Sequence, residues 1–302
     1  MSIPRKHHYV PQVHIKRFEH SDGYTVFIKD KKKLISKKSS HDIFAIKDLN
    51  SSLDENGNID HTSIELSLGE IWDNKFNSHL QSLLSWIKDS IEQNNYSKIP
   101  IEESLKFFFE YGLMGYMRSI RKKREFNDSI INSILELKEL IPHIYEVDLS
   151  NLEFTKEQTE IGREGIKDFI NLSTNLATEW QNKLKFPAPS AIELPMLIPD
   201  NLVGDIFVSK APPFYLPDCT AIILKSEKTS EYQNRNINKI VSISLPLTQN
   251  VFIQIRNKDF FPSDSTDLFS IGKERTEEIN NQLINYAFEQ VLVAKEFKLQ
   301  SI

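Results

Sequence analysis

The feature of this chain that most constrains its fold is a change in hydrophobic period. From Thr62 onward, apolar residues recur at the i, i+3, i+4 spacing of a helix, whereas residues 24–28 and 34–39 read as two short strands around a KDKKK turn. Short Ile- and Val-rich segments return from residue 191. Because helices and strands occupy separate stretches instead of alternating, the pattern predicts an α+β fold and argues against a doubly wound nucleotide-binding fold.

The predicted architecture is an N-terminal β-hairpin, long antiparallel helices, a C-terminal antiparallel sheet and a final helix. Pro11 is suited to open a short helix before the hairpin. We treat residues 1–302 as one domain, with a sub-boundary near 186–190 between a helical part and a β-rich part. The predicted segments are helices at 62–93, 101–140, 156–185 and 273–297, a loop at 51–60, and strands within 191–199, 205–210, 220–226, 239–246 and 250–256.

Composition excludes several classes of function. The single cysteine, Cys219, rules out an intramolecular disulfide and any cysteine-based zinc cluster. The 9 glycines among 302 residues form no G-x-G-x-x-G, P-loop or G-x-S-x-G motif, so ATP hydrolysis, Rossmann-type redox chemistry and α/β-hydrolase chemistry are poor fits. No apolar run reaches 18 residues and the N-terminus lacks an apolar signal region, so we expect a cytoplasmic protein without membrane contact.

Charge is distributed unevenly along the chain. The whole sequence carries a net charge of −5, yet residues 1–38 contain ten Lys and Arg residues against three acidic ones. A second basic cluster spans Arg118–Arg124. Such clusters are an electrostatic footprint for phosphates, and lysines at a hairpin turn also protect a sheet edge from pairing. The nucleic-acid contacts predicted here are Arg5, Lys6, Lys31, Lys32, Lys33 and Arg118–Arg124; a protein partner is the other candidate.

The segment KHHYVPQVHIKRF at 6–18 is the strongest candidate for chemistry. It places His7, His8 and His14 near Lys6 and Arg17. Histidine is the side chain best suited to move protons near neutral pH, and a nearby cation would hold a phosphate. The alternative is structural: one histidine hydrogen bonds a buried carbonyl and the others are exposed. The spacing is not that of a zinc motif, so we assign no metal ligands, and the need for a divalent metal cofactor stays open.

The same segment resembles the start of the bacterial domain-of-unknown-function family 4238, which begins with a His-His-Tyr-Val-Pro-Gln motif. Further similarity follows in order. Segment 63–83 resembles a helix with Glu65 at its first acidic position, and 107–124 resembles a long helix ending in arginines, with Arg118 and Arg121 as the matching residues. Segments 243–255 and 279–288 resemble the family's Leu-Pro-Leu strand and its Asn-containing helix. The resemblance implies no established activity, only an association with variable bacterial genome regions.

One departure from the family pattern matters. The family often carries Ser-Asp-x-Pro after a strand, and the resemblance implies that this Asp acts as an acid, a base or a metal ligand. Here the matching stretch is FVSKAPPF at 207–214, in which Ser209 and Pro212 are kept and Lys210 replaces the Asp. Asp205 and Asp218 are the candidate substitutes.

Two hypotheses follow. In the first, the chain is a phosphodiester-acting effector, a nuclease or toxin in bacterial antiphage defence. His7 or His8 transfers the proton, Glu65 orients a histidine or an arginine, and Lys6, Arg118 and Arg121 bind substrate. In the second, the chain is a non-catalytic partner-binding or regulatory protein with structural histidines. Arg118 and Arg121 are expected to share a helix face, and a Glu65–arginine contact serves either hypothesis.

The aromatic run in the second long helix has a simpler interpretation. Phe107, Phe108, Phe109, Tyr111 and Tyr116 cover most of the helix circumference. This pattern predicts a buried helix rather than a platform for stacking bases.

Overall fold

The computed structural model describes residues 6–47, 49, 52–53, 59–60, 62, 66, 68–93, 101–122, 124–125, 199, 201–226, 240–261 and 265–298. Two compact units are formed, one by residues 1–120 with 187–302 and the other by 121–186. In the second unit, only 121–122 and 124–125 are described. The predicted helix at 156–185 and most of segment 191–199 lie outside the described residues.

The first unit is α+β, as the sequence predicts. The helical elements are a π-helical turn at Gly69–Asp73 and helices α1 (Gln12–Ile15), α2 (Asn74–Gln93), α3 (Glu102–Arg118) and α4 (Lys273–Tyr286). The strands are β1 (Lys6–His8), β2 (Tyr24–Ile28), β3 (Lys33–Lys37), β4 (Ala45–Lys47), β5 (Ser52–Leu53), β6 (Ile59–Asp60), β7 (Leu202–Ser209), β8 (Leu216–Pro217), β9 (Ile222–Lys225), β10 (Ile240–Pro246), β11 (Val251–Asn257), β12 (Asp267–Ile271) and β13 (Gln290–Val293).

Helices α2 and α3 form the predicted antiparallel pair. The Phe76 ring packs against Phe108 and Tyr111, while His79, one turn further along α2, stacks on Phe107, earlier in α3. The predicted aromatic core is confirmed, because all five aromatic residues of the run are buried. The large apolar surface of this pair gives the helices a common core with the sheet behind them.

That sheet has the strand order β12-β7-β11-β10-β9. Its strands pair antiparallel, except that β12 lies parallel to β7 at one edge. Helix α3 packs closely on it at Gly112, where a Cβ atom would lie 2.7 Å from the Ile243 side chain. Glycine is therefore required at this position for the backbone of α3 to approach the sheet.

A second sheet, with the order β3-β2-β13-β8, joins the two ends of the chain. Strands β2 and β3 form the predicted hairpin, with the lysine-rich turn between them. Strand β1 pairs antiparallel with β4, and His7 lies opposite Ile46 in this register. The N-terminal histidines therefore begin a strand, which the sequence pattern does not reveal.

Helix α4 ends earlier than predicted. The predicted helix over 273–297 is wrong beyond Tyr286, because Ala287 is extended and the chain then enters β13. The buried carboxylate of Asp218 accepts hydrogen bonds from the backbone N–H groups of Phe288, Glu289 and Gln290 at 2.7–2.9 Å. These bonds turn the chain out of the helix, so Val291 and Leu292 pair in a sheet.

Two other predicted segments need correction. The predicted helix over 101–140 is interrupted after Arg118, because Ser119 is extended and its hydroxyl donates to the Tyr116 carbonyl at 2.6 Å. Residues 120–122 and 124–125 are helical again, and residues 126–140 lie outside the described residues. A serine that bonds the backbone in this way competes with the helix. The predicted loop at 51–60 contains strands at both ends, since Ser52–Leu53 pairs with Ile59–Asp60.

Among the described helices, none combines the length and the apolar character that crossing a bilayer requires.

Candidate functional site

The N-terminal histidines lie where β1 meets the end of the helix pair. His7 and His8 are buried, at 1% and 9% exposure. Tyr9 N–H donates to the Phe44 carbonyl at 2.9 Å, which continues the contact between this segment and the chain just before β4. The expectation that only one histidine of the motif is buried is therefore wrong: His14 is fully buried as well.

Two uncharged groups lie within hydrogen-bond distance of Nε2 of the His8 imidazole. The Gln12 side-chain amide nitrogen lies 3.1 Å from His8 Nε2, and the Ser40 carbonyl oxygen lies 3.3 Å from it. A protonated Nε2 donates to the carbonyl, and a deprotonated Nε2 accepts from the amide N–H. Both protonation states of this nitrogen therefore have a hydrogen-bond partner, which suits a proton-transfer group.

Arg118 connects this segment to helix α3. Its side chain is 2% exposed, and Nη2 donates to the His8 backbone carbonyl at 2.6 Å. Position 118 is the last residue of α3, where a cation interacts favourably with the helix dipole. The buried guanidinium is thus fixed beside the histidine motif by backbone geometry.

Asp73 supplies the acidic partner. Its Oδ1 lies 4.0 Å from Arg118 Nη1, and its side chain is 31% exposed, so the carboxylate is the solvent-facing member of the pair. The Tyr111 phenol lies nearby in the interior. Its pKa is well above the ordinary value, first because of burial and then because of the Asp73 charge, while Arg118 acts in the opposite direction.

His14 belongs to the core side of the same region. Its Nε2–H donates to the Pro246 carbonyl at 2.7 Å, and its ring packs among Phe18, Phe76 and Tyr111. Burial lowers the pKa of His14 to about 4, so the imidazole is neutral at pH 7. This histidine follows the structural interpretation, with one nitrogen on a buried carbonyl.

Other predicted site residues lie apart from this cluster. Lys6 forms a surface ion pair with Asp42 and lowers the pKa of that carboxyl. Arg121 donates to Glu125 at 2.9 Å within the second unit. Lys31, Lys32 and Lys33 are exposed at the hairpin turn. Arg5 and Glu65 lie outside the described residues.

The prediction that Arg118 and Arg121 share one helix face is wrong. The helix ends at Arg118, and the extended Ser119 breaks the i, i+3 spacing before the chain becomes helical again at residue 120. Arg118 is a buried cation of the first unit, whereas Arg121 belongs to the second.

The altered Ser-x-x-Pro element forms a separate loop after β7. Ser209 Oγ donates to the Pro212 carbonyl at 2.9 Å, the Ala211–Pro212 peptide bond is cis, and Lys210 is exposed. Asp218 is held by three backbone N–H groups, so its oxygens are already occupied. Asp205 accepts from Arg256 Nη2 at 2.6 Å.

Sequence reasoning missed Gln12, Asp73 and Tyr111. Gln12 lies within the N-terminal motif, four residues after His8, which is a usable signal. Asp73 carries no local signal, because its neighbours in the sequence are ordinary helix residues. Tyr111 is concealed among aromatic core residues. Within the described part of the chain, no group of His, Cys, Asp and Glu side chains is arranged to hold a metal ion.

Comparison with known proteins gives one match. No curated protein and no solved structure matches the chain. The family described as protein of unknown function DUF4238 matches residues 6–296, which is nearly the whole chain. The chain therefore belongs to the DUF4238 family.

Proposed function

We propose that the chain is a phosphodiester-acting enzyme, a nuclease or toxin of the kind used in antiphage defence, with His8 as its proton-transfer group. The observation that carries the proposal is the environment of His8 Nε2, which offers a partner to either protonation state. General acid–base catalysis needs a group that can gain and lose a proton without losing its position.

Arg118 is the phosphate-binding cation in this proposal. A guanidinium presents several donors in a rigid plane and matches phosphate geometry. Its bond to the His8 carbonyl fixes the distance between cation and imidazole. Fixed charge beside the proton-transfer group stabilises the negative charge that develops on a phosphoryl oxygen. His7 and Lys6 stay in the proposal with their predicted roles, and the role of Glu65, which lies outside the described residues, stays a prediction.

The second candidate is a non-catalytic binding protein, and one observation favours it. Arg118 bonds a backbone carbonyl rather than a side chain, as a structural clasp between the N-terminal segment and α3 would. In that case the exposed lysines of the hairpin turn contact the partner.

The test is cleavage of labelled DNA, RNA and tRNA by the purified protein, with EDTA, Mg²⁺, Mn²⁺ or Zn²⁺. Substitution His8→Ala is expected to reduce the rate at least about 100-fold, the usual contribution of a general acid or base. Gln12→Met should reduce it less, since only one of the two partners of Nε2 is lost. The matched control is His79→Ala, because His79 stacks on Phe107 within the helix pair and has no role in the proposal.

Thermal unfolding separates the two candidates. An enzyme loses activity in His8→Ala with little change in its unfolding midpoint. If every substrate stays intact under all metal conditions while His8→Ala and Arg118→Met both unfold much earlier, the histidine motif is a clasp and the enzymatic proposal fails.

A further inference from the structure

Three buried polar atoms in the core around α2 and α3 have no hydrogen-bond partner among the described residues. They are the Tyr111 hydroxyl, Trp72 Nε1 and His14 Nδ1. Their side chains are at most 5% exposed. Buried polar groups in folded proteins are nearly always hydrogen bonded, and each exception calls for an explanation. Three exceptions in one region indicate a group that binds there.

The three residues belong to one neighbourhood. The Tyr111 ring lies 5.6 Å from the His14 ring, centroid to centroid. The charges of Asp73 and Arg118 both act on the Tyr111 phenol. Trp72 precedes Asp73 in the π-helical turn. The Trp72 ring also lies 6.2 Å from the Phe107 ring, which lies 5.9 Å from the Tyr111 ring, so the three residues share one part of the core beside the Asp73–Arg118 contact.

The chemistry of these atoms defines what fits. The Trp72 indole N–H can only donate, the Tyr111 hydroxyl can donate, and Arg118 adds a positive charge. His14 Nε2–H already donates to the Pro246 carbonyl, so in the neutral ring Nδ1 can only accept. A ligand must therefore carry negative charge, accept several hydrogen bonds and donate one. Hydrogen phosphate and phosphate monoesters that retain a proton satisfy all three conditions, whereas sulfate has no proton to donate near neutral pH.

We propose that Tyr111, Trp72 and His14 form, with Arg118, a buried subsite for a phosphate group that keeps one hydroxyl proton. The inference rests on the proposed function, since the subsite would be the phosphate-binding part of the same site. Tyr111 and Trp72 are then binding residues, in addition to packing in the core.

The experiment is calorimetric titration of the full chain with inorganic phosphate and, separately, with sulfate. The wild-type protein should bind phosphate at least about tenfold more tightly than sulfate. Tyr111→Phe removes one oxygen and keeps the ring, so it should weaken phosphate binding about tenfold, the effect of one lost hydrogen bond. The matched control is Tyr116→Phe on the same helix, which should bind phosphate as the wild type does.

Thermal unfolding with and without phosphate is a second test of the subsite. Without phosphate, Tyr111→Phe should unfold at the wild-type temperature or above it, because an unsatisfied buried hydroxyl is removed. With phosphate, the wild-type protein should gain thermal stability that this variant lacks. Trp72→Phe is a second variant with the same expectation for binding.

Three results would overturn the subsite: equal binding of phosphate and sulfate, no binding of either, or a Tyr111→Phe variant that unfolds earlier and still binds phosphate normally. The outcome is separable from that of the proposed function. If the protein binds phosphate but does not cleave nucleic acid, the subsite is supported and the nuclease proposal fails. If cleavage depends on His8 but phosphate does not bind, the nuclease proposal is supported and the subsite fails.

Discussion

Two buried polar regions of this protein differ in whether their polar groups have hydrogen-bond partners within the fold. At Asp218, a carboxylate buried between β8 and the start of β13 accepts hydrogen bonds from three consecutive backbone N–H groups. Around Tyr111, by contrast, the Tyr111 hydroxyl and the Trp72 indole N–H are buried without a hydrogen-bond partner among the described residues. Both regions are interior, so burial alone does not distinguish them.

The difference lies in hydrogen-bond satisfaction. A region whose purpose is to hold the fold together satisfies its polar groups internally, because an unsatisfied group costs about 1–3 kcal/mol. A region that binds a ligand keeps some of its hydrogen-bonding capacity for that ligand. On this argument Asp218 is a structural residue, whereas the Tyr111 region is the one that we propose as a binding site.

The largest expected effect is at Asp218. Asp218→Ala leaves the N–H groups of Phe288, Glu289 and Gln290 buried without acceptors, and we expect a loss of about 4 kcal/mol in the free energy of unfolding. Urea unfolding followed by circular dichroism measures it. Asp218→Asn keeps one acceptor oxygen and should lose less, and the exposed Asp259→Ala is the control. A loss below about 1 kcal/mol in Asp218→Ala would mean that the turn does not depend on this carboxylate.

A pH effect of intermediate size is expected from His14. Its pKa is about 4 in the folded protein and about 6.5 in the unfolded chain. Between these values the unfolded chain binds a proton that the folded protein does not, so stability falls as the pH falls from 6.5 to 4. The difference corresponds to about 3 kcal/mol. Below pH 4 this residue has no further effect.

The measurement for His14 is the free energy of unfolding of the wild type and of His14→Gln at pH 7 and at pH 4.5. The variant keeps a donor for the Pro246 carbonyl and has no titratable group. It should start less stable and lose less on acidification than the wild type does. Parallel losses in the two proteins would show that other groups cause the acid sensitivity.

The smallest effects are expected in the lysine-rich turn. One of its lysines donates hydrogen bonds to backbone carbonyls, and others are exposed. Lys29 Nζ donates to the carbonyls of Asn285 and Ala287 near the end of α4, whereas Lys31 is exposed. Lys29→Ala should cost about 1 kcal/mol of stability through the lost helix-end contact, and Lys31→Ala less than about 0.5 kcal/mol.

For nucleic-acid binding we expect the opposite order of effects, with a larger change in Lys31→Ala than in Lys29→Ala. Lys31→Ala is expected to weaken binding to duplex DNA or to RNA and to reduce the salt dependence by about one ion, whereas Lys29→Ala should leave it near the wild-type value. Filter binding over a range of salt concentrations measures both. Unchanged binding in Lys31→Ala would exclude this turn as a phosphate contact.

The sequence predicted the regular parts of the fold well, and the errors have specific causes. The β-branched and aromatic residues of YTVFI identify strand β2, and the i, i+3, i+4 pattern identifies α2. The end of α4 was misplaced because Val291 and Leu292 continue a helical pattern locally. The backbone N–H groups of Phe288 and Glu289 donate to Asp218, about 70 residues away in sequence, instead of to helix carbonyls. This partner cannot be predicted from the local pattern.

The candidate site was predictable only in part. His7, His8 and Arg118 were selected from residue type and from the family resemblance, and the structure places Arg118 against the His8 backbone. Arg121 was grouped with Arg118 by spacing, which fails because Ser119 ends the helix. Asp73 and Tyr111 have no signal in the sequence, since a carboxylate or a phenol on an amphipathic helix is ordinary until its neighbours are known.

The sequence by itself determined the fold class, the antiparallel helix pair, the lysine-rich hairpin and the family, because these depend on periodicity and on motifs within short stretches of chain. The tertiary structure decided which polar groups are satisfied. Whether Tyr111, Asp73 or Asp218 has a hydrogen-bond partner depends on residues far away in sequence, and packing brings those residues together. Since function at a buried site depends on the donors that the fold leaves unsatisfied, the candidate subsite could be recognised only in three dimensions.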